Sequence, residues 1–102
     1  MAIHDIDEPS LQNRLHAEGG KAAVFFFTPL CGTCKIGERM LEIAEAAGIS
    51  VPVYKLNINY APRLREHWQI ASVPCLVLLD NGRPLQKEYA MKAVDHIYLM
   101  LK

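Results

Sequence analysis

A chain of 102 residues has room for one domain around a single core. Half of it is hydrophobic (51%), and 11 basic residues balance 11 acidic ones, which excludes disorder and argues against a nucleic-acid surface. The longest apolar runs, Ala22 to Phe27 and Cys75 to Leu79, have the length of strands, so no membrane span is expected.

The segment from Ile3 to Asp7 reads as a short edge strand or an extended lead-in. Asp7-Glu8-Pro9-Ser10 has the acids and proline of a helix start, and Leu11 and Leu15 recur at i,i+4 until Gly19-Gly20 closes the helix. Lys21 leads into a buried strand ending at Phe27. A second helix follows; beyond the CxxC its amphipathic part runs over Lys35 to Ala47, with Ile36, Met40, Leu41, Ile43, Ala44 and Ala47 on its inner face. Glu38, Arg39, Glu42 and Glu45 cover the outer one. Gly37 interrupts this pattern at a cost of about 1 kcal/mol against alanine, which points to a bend or a close approach.

Val51 to Ile58 reads as the next strand, followed by a helix opened by Asn59-Tyr60-Ala61-Pro62 and carrying Leu64, His67 and Trp68. Ile70 to Pro74 is a loop, and Cys75 to Asp80 is an apolar strand. Asn81-Gly82 is a strong hairpin signal. Leu85 to Ala90 pairs back, and Ala93 to Leu101 forms a terminal helix with Val94, Ile97, Tyr98 and Leu101 on one side. Strands alternating with helices predict an α/β fold, residues 1–102 forming a single domain. Its sheet should be largely parallel, with right-handed crossovers, one antiparallel edge strand and helices on both faces.

Chemistry concentrates at Cys31-Gly32-Thr33-Cys34-Lys35, directly after the aromatic strand. The spacing places both thiols in the first turn of a helix. Backbone N–H groups are unpaired there, and the positive end of the macrodipole stabilises a thiolate. Its pKa should fall below the free value of about 8.5, most of all at Cys31. Cys34, one turn on, can attack a mixed disulfide formed at Cys31. Gly32 lets the backbone turn tightly and gives a substrate room to approach. From the pair alone three readings stay open: redox chemistry, half of a metal site, or two buried small residues. No second CxxC or close histidine pair accompanies it; His4, His16, His67 and His96 are scattered. A third cysteine, Cys75, makes the count odd, which speaks against a disulfide scaffold. The residues Met1 to Asp5 lack the basic and apolar regions of a secretory leader, so a cytoplasmic, thiol-reducing setting is expected, where such a pair is more often catalytic.

These residues resemble the thioredoxin family over nearly the whole chain. The resemblance rests on the aromatic strand before the CxxC, on Lys55-Leu56-Asn57-Ile58-Asn59, on Val73-Pro74 and on Asn81-Gly82, in that order and spacing. It implies a thioredoxin-like fold, with a mixed sheet of about four or five strands, and a monomeric thiol–disulfide oxidoreductase that needs no cofactor beyond a redox-active Cys31–Cys34 disulfide. It also implies disulfide-containing protein substrates and an electron donor of the thioredoxin-reductase type, with neither nucleic acid nor membrane as partner. Val73-Pro74 would be a cis-proline loop facing Cys31, and Val73, Pro74, Gly32 and Thr33 would form the substrate surface. Lys35, Lys55 and Cys75 would tune the site.

The departures from that pattern are as informative. Leu30 stands where the family usually has tryptophan, and Thr33 where it usually has proline. Phe25 stands where a buried aspartate is usual, six residues before Cys31. Ala90 replaces a glycine. Cys75 directly follows the expected cis-proline, and three roles remain for it: an inert core residue, a second resolving thiol, or a ligand joining Cys31 and Cys34 around a metal or iron–sulfur cluster. A domain that keeps the fold but acts as a non-catalytic adaptor is the other alternative.

Overall fold

The computed structural model describes residues 3–102. Its sheet has the strand order β1-β3-β2-β4-β5, formed by β1 (His4–Asp5), β2 (Lys21–Phe27), β3 (Val53–Asn57), β4 (Cys75–Asp80) and β5 (Arg83–Glu88). The helices are α1 (Glu8–Glu18), α2 (Gly32–Ala46), α3 (Pro62–His67) and α4 (Val94–Leu101). The central strand β2 is rich in β-formers and apolar on both sides, as a strand covered on both faces must be. Ala22, Val24 and Phe26 face one apolar layer, with Leu11 of α1 and Leu64 of α3. Ala23 and Phe25 face the other, with Leu41 and Ala44 of α2 and Ile97 and Leu101 of α4.

The thioredoxin-like architecture expected from the sequence is present, with one correction. β1, β3 and β2 are parallel, but β4 already runs antiparallel to β2, and β5 antiparallel to β4. The antiparallel part is therefore two strands wide, not one. Between β3 and β4 lie a 3-10 turn (Ile58–Tyr60) and the six-residue α3. Six helical residues rise about 9 Å, whereas a five-residue strand runs about 17 Å. α3 alone does not carry the chain back along the sheet, and β4 leaves from the end where β3 finishes.

A second correction concerns α2. It starts at Gly32, with Cys34 in its first turn as expected but Cys31 standing outside as the cap. Its buried stripe is Cys34, Gly37, Leu41 and Ala44. Ile36 (64% exposed) and Ile43 lie on the solvent side, and Ala47 is exposed past the helix end. Gly37 is the reason the stripe sits there. A Cβ at that position would lie 3.2 Å from the Phe25 ring and 3.3 Å from Met91. Glycine lets α2 press onto β2, so Gly37 marks close packing.

Three long-range hydrogen bonds fix the remaining elements. In the hairpin, Asn81 and Gly82 have φ of 52° and 79°, the left-handed pair that a two-residue turn requires. Asn81 Oδ1 accepts the Gly20 N–H at 2.8 Å, and the Asn81 N–H donates to the Gly20 carbonyl at 2.8 Å. Elsewhere, Asp7 caps α1 by accepting the Ser10 N–H. The next residue, Glu8, is buried and accepts the Leu64 N–H at 2.7 Å. Leu64 lies in the first turn of α3, whose own cap residue, Ala61, offers no side-chain oxygen. Glu8 thus caps α3 from α1. Glu8→Ala should lower the unfolding free energy in urea by about 1.5–3 kcal/mol, as expected for losing a hydrogen bond to a charged group. Glu8→Gln should cost less, because it keeps an acceptor.

Candidate active site

β2 ends at Phe27, and the turn Thr28 to Leu30 delivers Cys31 to the N-terminus of α2. Cys31 is not inside the first turn, as the sequence led us to expect. It is the cap itself, in extended conformation, and its Sγ accepts the Cys34 N–H at 3.1 Å. Thr33 Oγ1 lies 3.4 Å from the same sulfur. Cys31 and Cys34 form a disulfide across a Cα–Cα distance of 5.2 Å. The two sulfurs differ in access: Cys31 is half-buried, while Cys34 is 2% exposed. When the disulfide is reduced, the backbone N–H and the helix terminus favour negative charge on Cys31. The accessible sulfur is thus the one prepared to attack.

Beneath this turn, Lys55 Nζ meets Glu38 Oε2 at 2.6 Å, with the two side chains 23% and 26% exposed. Lys55 pairs in register with Phe25, and its ammonium lies 5.9 Å from the Phe27 ring centre. The Glu38 hydrogen bond raises the Lys55 pKa above its ordinary value, against the opposing effect of burial. Lys35 is exposed on α2. Glu38 was assigned from the sequence to the solvent face. Its spacing of four residues from Cys34 was the available signal, because such residues share a helix face.

The Val73–Pro74 peptide is cis. Hollows flank this loop on two sides. One, of about 290 Å³, is lined by Thr33, Ile36, Gly37, Pro74, Tyr89, Ala90 and Met91. The other, of about 220 Å³, is lined by Thr28, Ile58, Asn59, Arg65, Ile70, Ser72 and Val73. Pro74 and Thr33 therefore share one groove, Val73 borders the second, and Gly32 is exposed above the helix start. Tyr89, not singled out in the sequence, ties the loop down by accepting the Ala71 N–H at 3.2 Å. A wider hollow of about 410 Å³ opens at the far end of the sheet, around Arg14, Glu18 and the start of β3, away from the sulfurs.

Cys75 is free, fully buried and part of the layer with Phe26 and Trp68, on the α1/α3 side. α2 and its Cys34 lie on the other side. A strand's side chains alternate between faces, so it is Leu76, not Cys75, that points toward α2. The three sulfurs do not converge, and among the described residues no group of three His, Cys, Asp or Glu side chains is arranged to hold a metal. Trp68 is a core residue, meeting Phe26 edge-on at 6.0 Å between ring centres.

The thioredoxin family model matches residues 2–102. The chain belongs to the thioredoxin family. It is 33% identical over 87 residues to the thioredoxin-like protein YusE of Bacillus subtilis, covering 85% of this chain and 82% of that one. It is 28% identical over 82 residues to the thioredoxin of Chlamydia trachomatis, covering 80% of each. Its fold matches a thioredoxin from Halobacterium salinarum with a TM-score of 0.84 over 98% of this chain and 88% of that one, at 17% identity. Chloroplastic thioredoxin z aligns at 0.81 over 98% and 91%, at 22% identity. Family membership and a disulfide-forming pair at a helix N-terminus place the chain among thiol–disulfide oxidoreductases. Beside this pair, Phe25 fills the Gly37 contact, and Leu30, next to Cys31, is 98% exposed.

The sulfurs should differ sharply in reactivity. Desolvation pushes the Cys75 thiol up to about 11, outweighing the hydrogen bond from Tyr89. Alkylation of the reduced protein at mildly alkaline pH, read by peptide mass, should label Cys31 first. Cys75 should stay unlabelled until denaturant is added.

Proposed function

We propose that this thioredoxin-family member is a cytoplasmic reductase of protein disulfides. The observation that carries this reading is the seat of Cys31: a half-buried sulfur at the cap of α2, accepting the Cys34 N–H and one turn from its disulfide partner. The Cys31 thiolate attacks one sulfur of a substrate disulfide, and the other substrate sulfur leaves as a thiolate. Cys34 then attacks Cys31. The Cys31–Cys34 bond forms, the bond to the substrate breaks, and the second substrate sulfur leaves with the electron pair. The substrate has gained two electrons and the Cys31–Cys34 pair has lost them.

Substrate docking rests on the cis-proline loop. Among the described residues, none forms a loop hydrogen bond with Val73, and its backbone is offered to pair with an extended substrate segment. Gly32, Thr33 and Pro74 frame that approach, and exposed Leu30 adds apolar contact. The oxidised pair is returned to dithiol by a donor of the thioredoxin-reductase type, and the protein works as a monomer without a cofactor. Lys35 adds positive charge near the half-buried sulfur of Cys31.

Cys31→Ser should reduce turnover of a protein disulfide, such as those of insulin, to the uncatalysed rate. Cys34→Ser should accumulate mixed disulfides with substrate proteins, visible on non-reducing gels and released by dithiothreitol. Retained turnover in Cys31→Ser protein would sink this scheme.

A further inference from the structure

Cys34 must lose a proton before it can attack, yet it is 2% exposed, and the aromatic side chains of β2 supply no acceptor there. Among the described residues, Glu38 is the carboxylate one turn further along the same helix. Residues at i and i+4 lie about 5–6 Å apart at Cβ. Helical side chains lean toward the N-terminus, which directs the Glu38 side chain toward the turn that carries Cys34. The Lys55 ammonium fixes this carboxylate from below at 2.6 Å, and 26% of the Glu38 side chain remains in contact with solvent.

We propose that Glu38, held by Lys55, accepts the Cys34 proton during resolution of the mixed disulfide and passes it to water. The inference rests on the oxidoreductase reading and deepens it. In the step, the proton leaves Cys34 Sγ for Glu38. The Cys34 thiolate bonds to Cys31 Sγ, and the substrate sulfur departs as a thiolate. Glu38 then returns its proton to solvent through its exposed edge. The other charged groups acting on this pair are Asp5 from β1 and Glu42 from α2, both through Lys55. On this side of the sheet β2 packs Ala23, Phe25 and Phe27, all uncharged, against the helices, and exposed Lys35 flanks Cys34 along the helix.

The test follows reduced protein mixed with a small aromatic disulfide, dithionitrobenzoate, in stopped flow. The fast release of thionitrobenzoate reports attack by Cys31; the second release reports resolution by Cys34. Glu38→Gln should leave the first phase intact and slow the second about 10²-fold near neutral pH, the usual scale of proton-transfer assistance. The deficit should close as pH rises and Cys34 ionises unaided. Glu38→Asp, which keeps a carboxylate, should recover part of the rate, and Asp5→Asn should change neither phase. A second phase in Glu38→Gln equal to wild type, or slowed by the same factor at every pH, would overturn the proposal. Equal slowing by Asp5→Asn would also overturn it, because charge alone would then explain the effect. No release from wild-type protein would instead refute the oxidoreductase reading itself.

Discussion

The first turn of α2 has backbone N–H groups that no helical carbonyl can satisfy, and the fold aims them at the end of its central strand. A sulfur, not the usual oxygen, fills the cap, so the groups that would stabilise any helix start here stabilise the charge on a nucleophile. The rest of the structure serves to hold that turn in place. β2 is buried on both faces and leaves the chain at a fixed height. Gly37 lets α2 sit against Phe25, and Leu41 and Ala44 continue the contact down the helix.

The period-two alternation of β4 separates the remaining sulfur from the reaction. Cys75 adjoins the cis-proline in sequence but faces the layer of α1 and α3, among Phe26 and Trp68. Burial keeps its thiol protonated, the opposite of what the helix terminus does for Cys31. The surroundings of these two cysteines thus act on a thiol in opposite directions. Between them in access lies Cys34, buried but within one turn of the Glu38–Lys55 pair.

What the sequence made legible was local chemistry with a strong signature. The CxxC after an aromatic strand, the Asn81-Gly82 turn and the Asp7-Glu8-Pro9 helix start each depend on a few adjacent residues, and the structure has a helix start or a turn at each. The cis-proline loop was legible only through family resemblance, since Val73-Pro74 by itself equally describes a strand start. Missed features depended on distant partners. The inner face of α2 is set by Gly37 meeting Phe25, which hydrophobicity alone could not show, so Ile36 and Ile43 were placed inward. The direction of β4 depended on the true length of α3. Glu8 reads as an acid at the start of its own helix and Glu38 as a solvent-facing one, yet the first caps another helix and the second holds a lysine of β3.

The central claim is that Cys31 and Cys34 form a self-contained redox couple at the helix terminus, with Cys75 outside it. The most direct measurement is the redox equilibrium of the protein against graded mixtures of reduced and oxidised dithiothreitol, run on the natural sequence and on Cys75→Ser. The account predicts a single two-electron transition with the same midpoint in both proteins. The absence of a Cys31–Cys34 disulfide under oxidising conditions, or a midpoint that moves when Cys75 is replaced, would contradict it.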